Sequence, residues 1–137
     1  MTQIHKIATV LRPDLLDWQK LNVASFLASS VAIRFPETHG PAFVTASDTK
    51  YLPFINQPIL IYQARSQDEL NRAFRRATER KLAIGIYTEP LFATKNAAEN
   101  LAEIARLSDE AQSLVGIIVY GERKAVDKAI KDLKFHP

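Results

Sequence analysis

Four runs of aliphatic and β-branched residues, Ile4–Leu11, Ile59–Tyr62, Leu82–Tyr87 and Leu114–Tyr120, are separated by segments with helical spacing. In the first run apolar and polar residues do not alternate cleanly, the pattern of a strand buried on both faces. Leu82–Tyr87 likewise reads as a buried strand. The order is β-α-β-α-β-α-β-α, which demands an α/β layer fold with helices on both faces of a central sheet. The 137 residues suit one domain, 1–137, without an internal repeat or linker. Ligands of such folds sit beyond the carboxyl ends of strands. That rule directs attention to residues 12–18 and 88–94.

Boundary signals give each element its limits. Arg12-Pro13-Asp14 stops the first strand, and Asp14 is the expected cap of a helix reaching about Ile33. Leu21, Ala24, Ala28 and Val31, widened by Leu16, Val23 and Leu27, make that helix largely buried. Pro36, Gly40, Pro41 and Pro53 interrupt residues 35–56. A stretch of this length is either a functional loop or holds a short hairpin around 42–45 and 50–53. Pro58 stands at the start of the second strand, where a missing donor is tolerated. Ser66-Gln67-Asp68-Glu69 is a capping box, and Leu70, Ala73, Phe74 and Ala77 continue it at helical spacing until Lys81. Thr88-Glu89-Pro90 turns the chain. A helix over about 96–107 carries Leu101, Ile104 and Ala105 inward. Gly121 breaks the last strand, and a helix over about 122–133 buries Ala125, Val126, Ala129, Ile130 and Leu133.

Several chemistries are excluded. The chain has no cysteine, so a disulfide framework, a thiolate nucleophile and a sulfur-bound zinc are unavailable. His5, His39 and His136 lie far apart, without metal-ligand spacing, and no metal or cofactor is expected. Nucleotide fingerprints rich in glycine and a Gly-x-Ser-x-Gly elbow are both missing. The N-terminal residues lack the form of a leader peptide. The segment around Leu21 to Ile33 is too polar and too short to span a bilayer, so no membrane role and a cytoplasmic location are expected. A net charge of +3 and a pI near 9.3 hint only weakly at nucleic acid.

Three features can carry chemistry. The first is the post-strand cluster Arg12-Pro13-Asp14 with Asp17, Trp18, Gln19, Lys20 and Asn22. Trp18, the only tryptophan, can stack on a ring or a base, or can anchor the helix to the sheet. Asn22 falls on the apolar side of the helix, where it must fasten a backbone or point into a pocket. The second is the segment Tyr87-Thr88-Glu89-Pro90-Leu91-Phe92-Ala93-Thr94. Glu89 just past a strand end is placed as a general base or cation-binding carboxylate would be, or is a solvated turn residue. Thr94 and Asn96 also suit helix capping. The third is basic: Arg72, Arg75, Arg76, Arg80 and Lys81 on one helix, and Lys124, Lys128, Lys131 and Lys134 on another. Phosphates need such residues. A solvated helix face needs them equally, with Glu79 and Asp127 as partial neutralisers.

Three segments resemble peptidyl-tRNA hydrolase of the second type: Lys6–Leu15 with its Arg-x-Asp-Leu turn, Ser66–Tyr87, and Leu114–Leu133. Together they cover nearly the whole chain apart from residues 35–56. The chain is closer still to an uncharacterised bacterial family, a domain of unknown function related to that fold, through Trp18, Leu21–Ala24, Tyr87–Glu89 and Leu91–Thr94. The resemblance implies a three-layer α/β/α sandwich with a mixed four-stranded sheet, often a homodimer. It implies an active site made of a lysine on the first helix with an aspartate and a threonine after the third strand. The aspartate falls on Glu89 and the threonine near Thr94. The hydrolases carry Gly-Lys-Gly-Lys where this chain has Trp18-Gln19-Lys20-Leu21, so Lys20 is one place out of register, about 100° around a helix. The glutamine that comes next in the hydrolases is Ser25 here.

Two functional expectations result, and the first is favoured. In it, Arg12, Asp14, Trp18, Asn22, Thr88 and Phe92 line a pocket for a small molecule or peptide. In the second, Glu89, Lys20 and Thr94 are catalytic in hydrolysis of peptidyl-tRNA or a related ester, with tRNA as partner and Lys20 or Arg12 stabilising an oxyanion. A third class is a dimeric interaction protein.

Overall fold

The computed structural model describes residues 4–137. Met1–Gln3, which begin the stretch inspected for a leader peptide, lie outside the described residues. The main sheet is mixed and has five strands, in the order β5-β6-β1-β4-β7. They are β1 (His5–Leu11), β4 (Ile59–Gln63), β5 (Ala83–Thr88), β6 (Leu114–Glu122) and β7 (Lys134–Phe135). β1 lies at the centre, parallel to β4 and antiparallel to β6. β5 and β7 each run antiparallel to their neighbours. The carboxyl ends of β1, β4 and β5 therefore meet at one edge, beside the start of β6.

Helices cover both faces. Helix α1 (Asp17–Arg34) packs Val23, Leu27 and Val31 on the face shown by Ile7, Leu11, Ile118 and Tyr120. Helices α2 (Gln67–Glu79) and α4 (Arg123–Ala129) pack on the opposite face against Ala8, Val10, Ile117 and Val119. This is the three-layer arrangement expected, with one strand more than the four. The fifth arises because α4 ends at Ala129 instead of reaching Leu133. Asp132, at φ 74°, takes the left-handed conformation that turns the chain back, and Phe135 pairs with Tyr62. Lys6 is almost fully buried, and its Nζ donates to Asp127 Oδ1 at 2.6 Å, fastening α4 to β1.

Other expectations need correction. Asp14 does not cap α1. The helix starts after Leu16, whose backbone N–H donates to Gln19 Oε1 at 3.0 Å. Its buried line is Val23, Leu27 and Val31, while Leu21 is 70% exposed. Apolar residues surround most of the helix, so periodicity did not single out one face. Helix α3 (Ala97–Ala105) buries nothing, and Leu101 points to solvent. β5 is an edge strand, half-buried along Ala83–Ile86. Gly121 continues β6 because a Cβ there would stand 2.5 Å from Leu82 Cδ2, so a close approach explains the glycine. The expected hairpin is present, as β2 (Phe43–Val44) paired with β3 (Lys50–Tyr51). Among the described residues no helix is long and apolar enough to cross a membrane.

The start of α2 forms as its sequence dictates. Ser66 Oγ accepts from the Glu69 N–H at 3.2 Å. Glu69 reaches back to the Arg65 N–H at 2.7 Å and takes two further bonds from the Arg65 guanidinium. These bonds from Arg65 hold the Glu69 carboxyl below the usual range. A depressed folded pKa adds stability above the unfolded value of about 4.3 that is lost as pH falls through it. The expected result is that Glu69→Gln is less stable than the wild type at pH 7, and that this gap narrows by pH 3 in thermal melts. A constant gap over that interval would contradict the assignment.

Candidate functional site

At the shared carboxyl edge the chain leaves β1 through Arg12, whose N–H still donates to the Val115 carbonyl at 2.9 Å. Its guanidinium gathers three acceptors from three segments. Nε donates to Asp14 Oδ1 at 2.6 Å, Nη2 to Glu89 Oε2 at 3.0 Å, and Nη1 to Gln67 Oε1 at 3.4 Å. Gln67 in turn donates to the Leu114 carbonyl at 3.0 Å. Glu89 is set by its own N–H, which donates to the Ser113 carbonyl at 2.9 Å as a 3-10 turn, Glu89–Ala93, begins. Burial lowers the Arg12 pKa, and the bonds to Asp14 and Glu89 more than offset it, so the value is raised. A depression of about 340 Å³ opens beside Arg12, Asp14 and Gln67. Its one cation is paired with two carboxylates, so the cluster carries a net negative charge.

A second cavity, of about 480 Å³, lies between α1 and α3. Asn22 and Phe26 line it from α1, and Tyr87 from the end of β5. The 3-10 turn supplies Phe92, the residue just past it is Thr94, and α3 supplies Asn100. The Thr94 hydroxyl lies between the Leu91 carbonyl, 2.9 Å away, and the Asn100 side-chain oxygen. Asn96 caps α3, accepting from the Glu99 N–H at 2.9 Å. A run of rings dips from the surface to Tyr87 and returns to it at Phe26. Trp18, 55% exposed, meets Phe92 edge-on at 5.9 Å, Phe92 lies 5.1 Å from Tyr87, and Tyr87 lies 6.1 Å from Phe26. Tyr87 is only 7% exposed, yet its hydroxyl has no hydrogen-bond partner among the described residues. Burial raises its pKa, so at neutral pH it is a protonated donor.

The sequence candidates thus divide. Arg12, Asp14 and Glu89 meet in the charged cluster. Asn22, Phe92 and Thr94 meet in the cavity, with Trp18 at its outer end. Asn22 is exposed rather than buried among apolar groups. Thr88 is buried at 1% exposure, beneath the surface of either site. Lys20 opens on a third groove, of about 500 Å³, with Asp17, Leu11, Ile61 and His136. Phe26 and Asn100 were not anticipated. Phe26 is one turn beyond Asn22, and Asn100 one turn beyond Asn96, so helical spacing from the named residues could have found both. Tyr87 opened the segment singled out after the third strand, but was given no binding role of its own. Among the described residues no three His, Cys, Asp or Glu side chains gather as a metal site requires.

The sequence profile of a family described as a protein of unknown function (DUF2000) matches residues 5–137, and the chain belongs to that family. The fold also matches the solved structure of a protein of unknown function, Atu0240, from Agrobacterium tumefaciens strain C58. The match has a TM-score of 0.93 and 34% identity, over 99% of this chain and all of that one. Among curated proteins no match is found.

The charged cluster makes a definite energetic claim. Arg12 is mostly covered, but the Asp14 and Glu89 side chains are 67% and 55% exposed, so water screens both pairs. Replacing Arg12 by Met is expected to cost about 1–2 kcal/mol in urea unfolding, within the range for charge-assisted bonds with solvated partners. A loss above about 4 kcal/mol would mean a dry ion pair instead.

Proposed function

For this member of the DUF2000 family we propose that the cavity between α1 and α3 binds a small organic ligand on a scaffold like that of peptidyl-tRNA hydrolase of the second type. The observation that carries this reading is the hydroxyl of the almost fully buried Tyr87, unpartnered within the described residues and placed among aromatic walls. The hydroxyl itself opens to the cavity and its water, and a ligand acceptor can take that water's place. Phe26 and Phe92 suit a flat ring. Asn22 and Asn100 offer amide groups that can both donate and accept. Lys95 is the cavity's one charged group, which selects against cations. The chemistry fits a planar, neutral or anionic molecule with an amide-like edge, or a peptide end whose next side chain rests on Trp18. The test is ligand-observed NMR with nicotinamide, adenine and benzylamine. Nicotinamide or adenine is expected to bind and benzylamine is not. Tyr87→Phe should weaken binding about 5-fold, the worth of one net hydrogen bond. Equal affinity in the variant, or no binding by any probe, would sink the reading.

Hydrolysis of peptidyl-tRNA or a related ester is the second reading, and the contact of Arg12 with Glu89 favours it. The guanidinium suits a developing oxyanion and the carboxylate suits an attacking water. Lys20 stands away on the groove with His136, so this reading rests on the arginine. It expects peptidyl-tRNA turnover that Glu89→Ala abolishes. Absence of turnover by wild type at high enzyme concentration would exclude that substrate.

A further inference from the structure

β5 closes one side of the sheet, and its outer edge is open. Among the described residues, nothing but the pairing with β6 bonds to the backbone of Ala83–Tyr87. Proteins blunt such edges with a charge, a proline or a bulge. Ala83-Ile84-Gly85-Ile86-Tyr87 has no charge and no proline, and its register shifts only past Tyr87. The edge lies in a trough. On one side runs α1: Phe26 lies 6.1 Å from Tyr87, and Ser30 Oγ stands 2.7 Å from where a Cβ on Gly85 would be. Ile33 continues that ridge at helical spacing. Phe26 and Ile33 are 56 and 81% exposed, and the smaller Ser30 leaves a notch between them. On the other side Ile84 and Ile86, like Phe74 of α2, are only partly covered where they pack on the opposite core. There a groove of about 360 Å³ opens between α2 and the 3-10 turn Asp109–Ala111, floored by Phe74 and Leu114. Leu114 lies opposite Thr88, so the groove flanks the end of β5. Its rim carries Glu79, Asp109 and Glu110 against Arg75, and none of the four has an ion-pair partner among the described residues.

From this edge we infer that β5 docks an extended peptide by strand addition, one in which aliphatic and cationic residues alternate. Successive side chains of an added strand point to opposite faces. Those on the α1 side meet the notch between Phe26 and Ile33, which suits a valine or isoleucine. Those on the α2 side reach the groove, where three carboxylates against one guanidinium suit a lysine or arginine. Arg80 and Lys81 stand just before β5, so the cationic residues belong toward its Thr88 end. Backbone pairing supplies affinity, and the two walls supply selectivity. A second copy of this chain fills the trough poorly. Its β5 would bring Ala83, Gly85 and Tyr87 to the α1 side, already packed beneath its own helix, and would leave the notch empty. The trough shares Phe26 with the cavity between α1 and α3 but does not rest on ligand binding there.

The test uses the full chain and a fluorescent peptide, acetyl-Thr-Val-Lys-Val-Lys-Val-Thr-amide, with binding read by anisotropy and amide exchange read by NMR. The peptide is expected to bind with a dissociation constant below about 1 mM. It should slow exchange of β5 amides and leave those of β7 unchanged. Glutamate in place of both lysines should weaken binding about 10-fold. Proline in place of the central valine should do the same, because proline cannot donate to a ladder. Ile33→Asp should also weaken it about 10-fold, the effect of losing an interface anchor. Ile33 is so exposed that this variant keeps the wild-type circular dichroism. Leu21→Asp, on the far side of α1, should bind as wild type does. Because the peptide is read by exchange at β5 and a cavity ligand by its own signals, the two readings fail separately. Absence of binding below about 1 mM overturns the inference. So does equal binding of the glutamate peptide, or undiminished binding by Ile33→Asp. Slowed exchange at β5 in the protein alone, growing with its concentration, gives the edge to a second copy and overturns it as well.

Discussion

Everything in this molecule is arranged around a strand that meets water nowhere along most of its length. β1 is hydrogen-bonded on both sides, to β4 and to β6, and from Lys6 onward it is buried on both faces. Such a strand needs two apolar covers and two partner strands at once. Helix α1 supplies one cover, and α2 with α4 supplies the other. The charged group within it, Lys6, is held by Asp127 and lies over the Tyr62 ring at 5.5 Å, because a buried ammonium must be paired. Polar chemistry is thereby confined to the strand ends, where Arg12 is the first residue past β1.

The two candidate sites share one edge but differ in physical character. Around Arg12 one cation is shared by two carboxylates, and the hydrogen bonds tie β1, α2 and the end of β5 together. That cluster sets the positions of Gln67 and Glu89. Between α1 and α3 the groups are aromatic rings, amides and one hydroxyl that the described residues leave unmatched. The 3-10 turn Glu89–Ala93 connects the two: its first residue pairs with Arg12, and its fourth, Phe92, walls the cavity.

Much of the architecture was legible because burial writes itself into residue type. β1, β4 and β6 read as aliphatic runs, and α2 as a capping box with a single apolar stripe after it. The failures have physical causes. α1 is apolar over most of its circumference, so its inward line of Val23, Leu27 and Val31 could not be separated from Leu21. α3 has a helical pattern yet no cover, since nothing packs on Leu101. β7 depends on a left-handed Asp132, which leaves no mark in hydrophobic spacing. For the site, the post-strand rule found Arg12, Asp14 and Glu89 directly, and it also found Phe92 and Thr94. Lys20 entered by register with another family, and one place on a helix carries it to a different groove. Tyr87 was named at the head of the segment after the third strand without a role, because its ring serves both the core and the cavity.

Gly116 gives the cavity a dependence on the interior. A Cβ at this position of β6 would fall 2.8 Å from Val23 Cγ1 and 3.1 Å from Leu11 Cδ2. Neither atom can yield freely in a packed core. The missing methyl group therefore determines how near α1 sits to the sheet, and Asn22 precedes Val23 on that helix, with Phe26 one turn further. The breadth of the cavity is set by an atom that the protein does not have, at a position no ligand touches. Exchanging this one buried residue would alter the size of the cavity while every lining side chain stays the same.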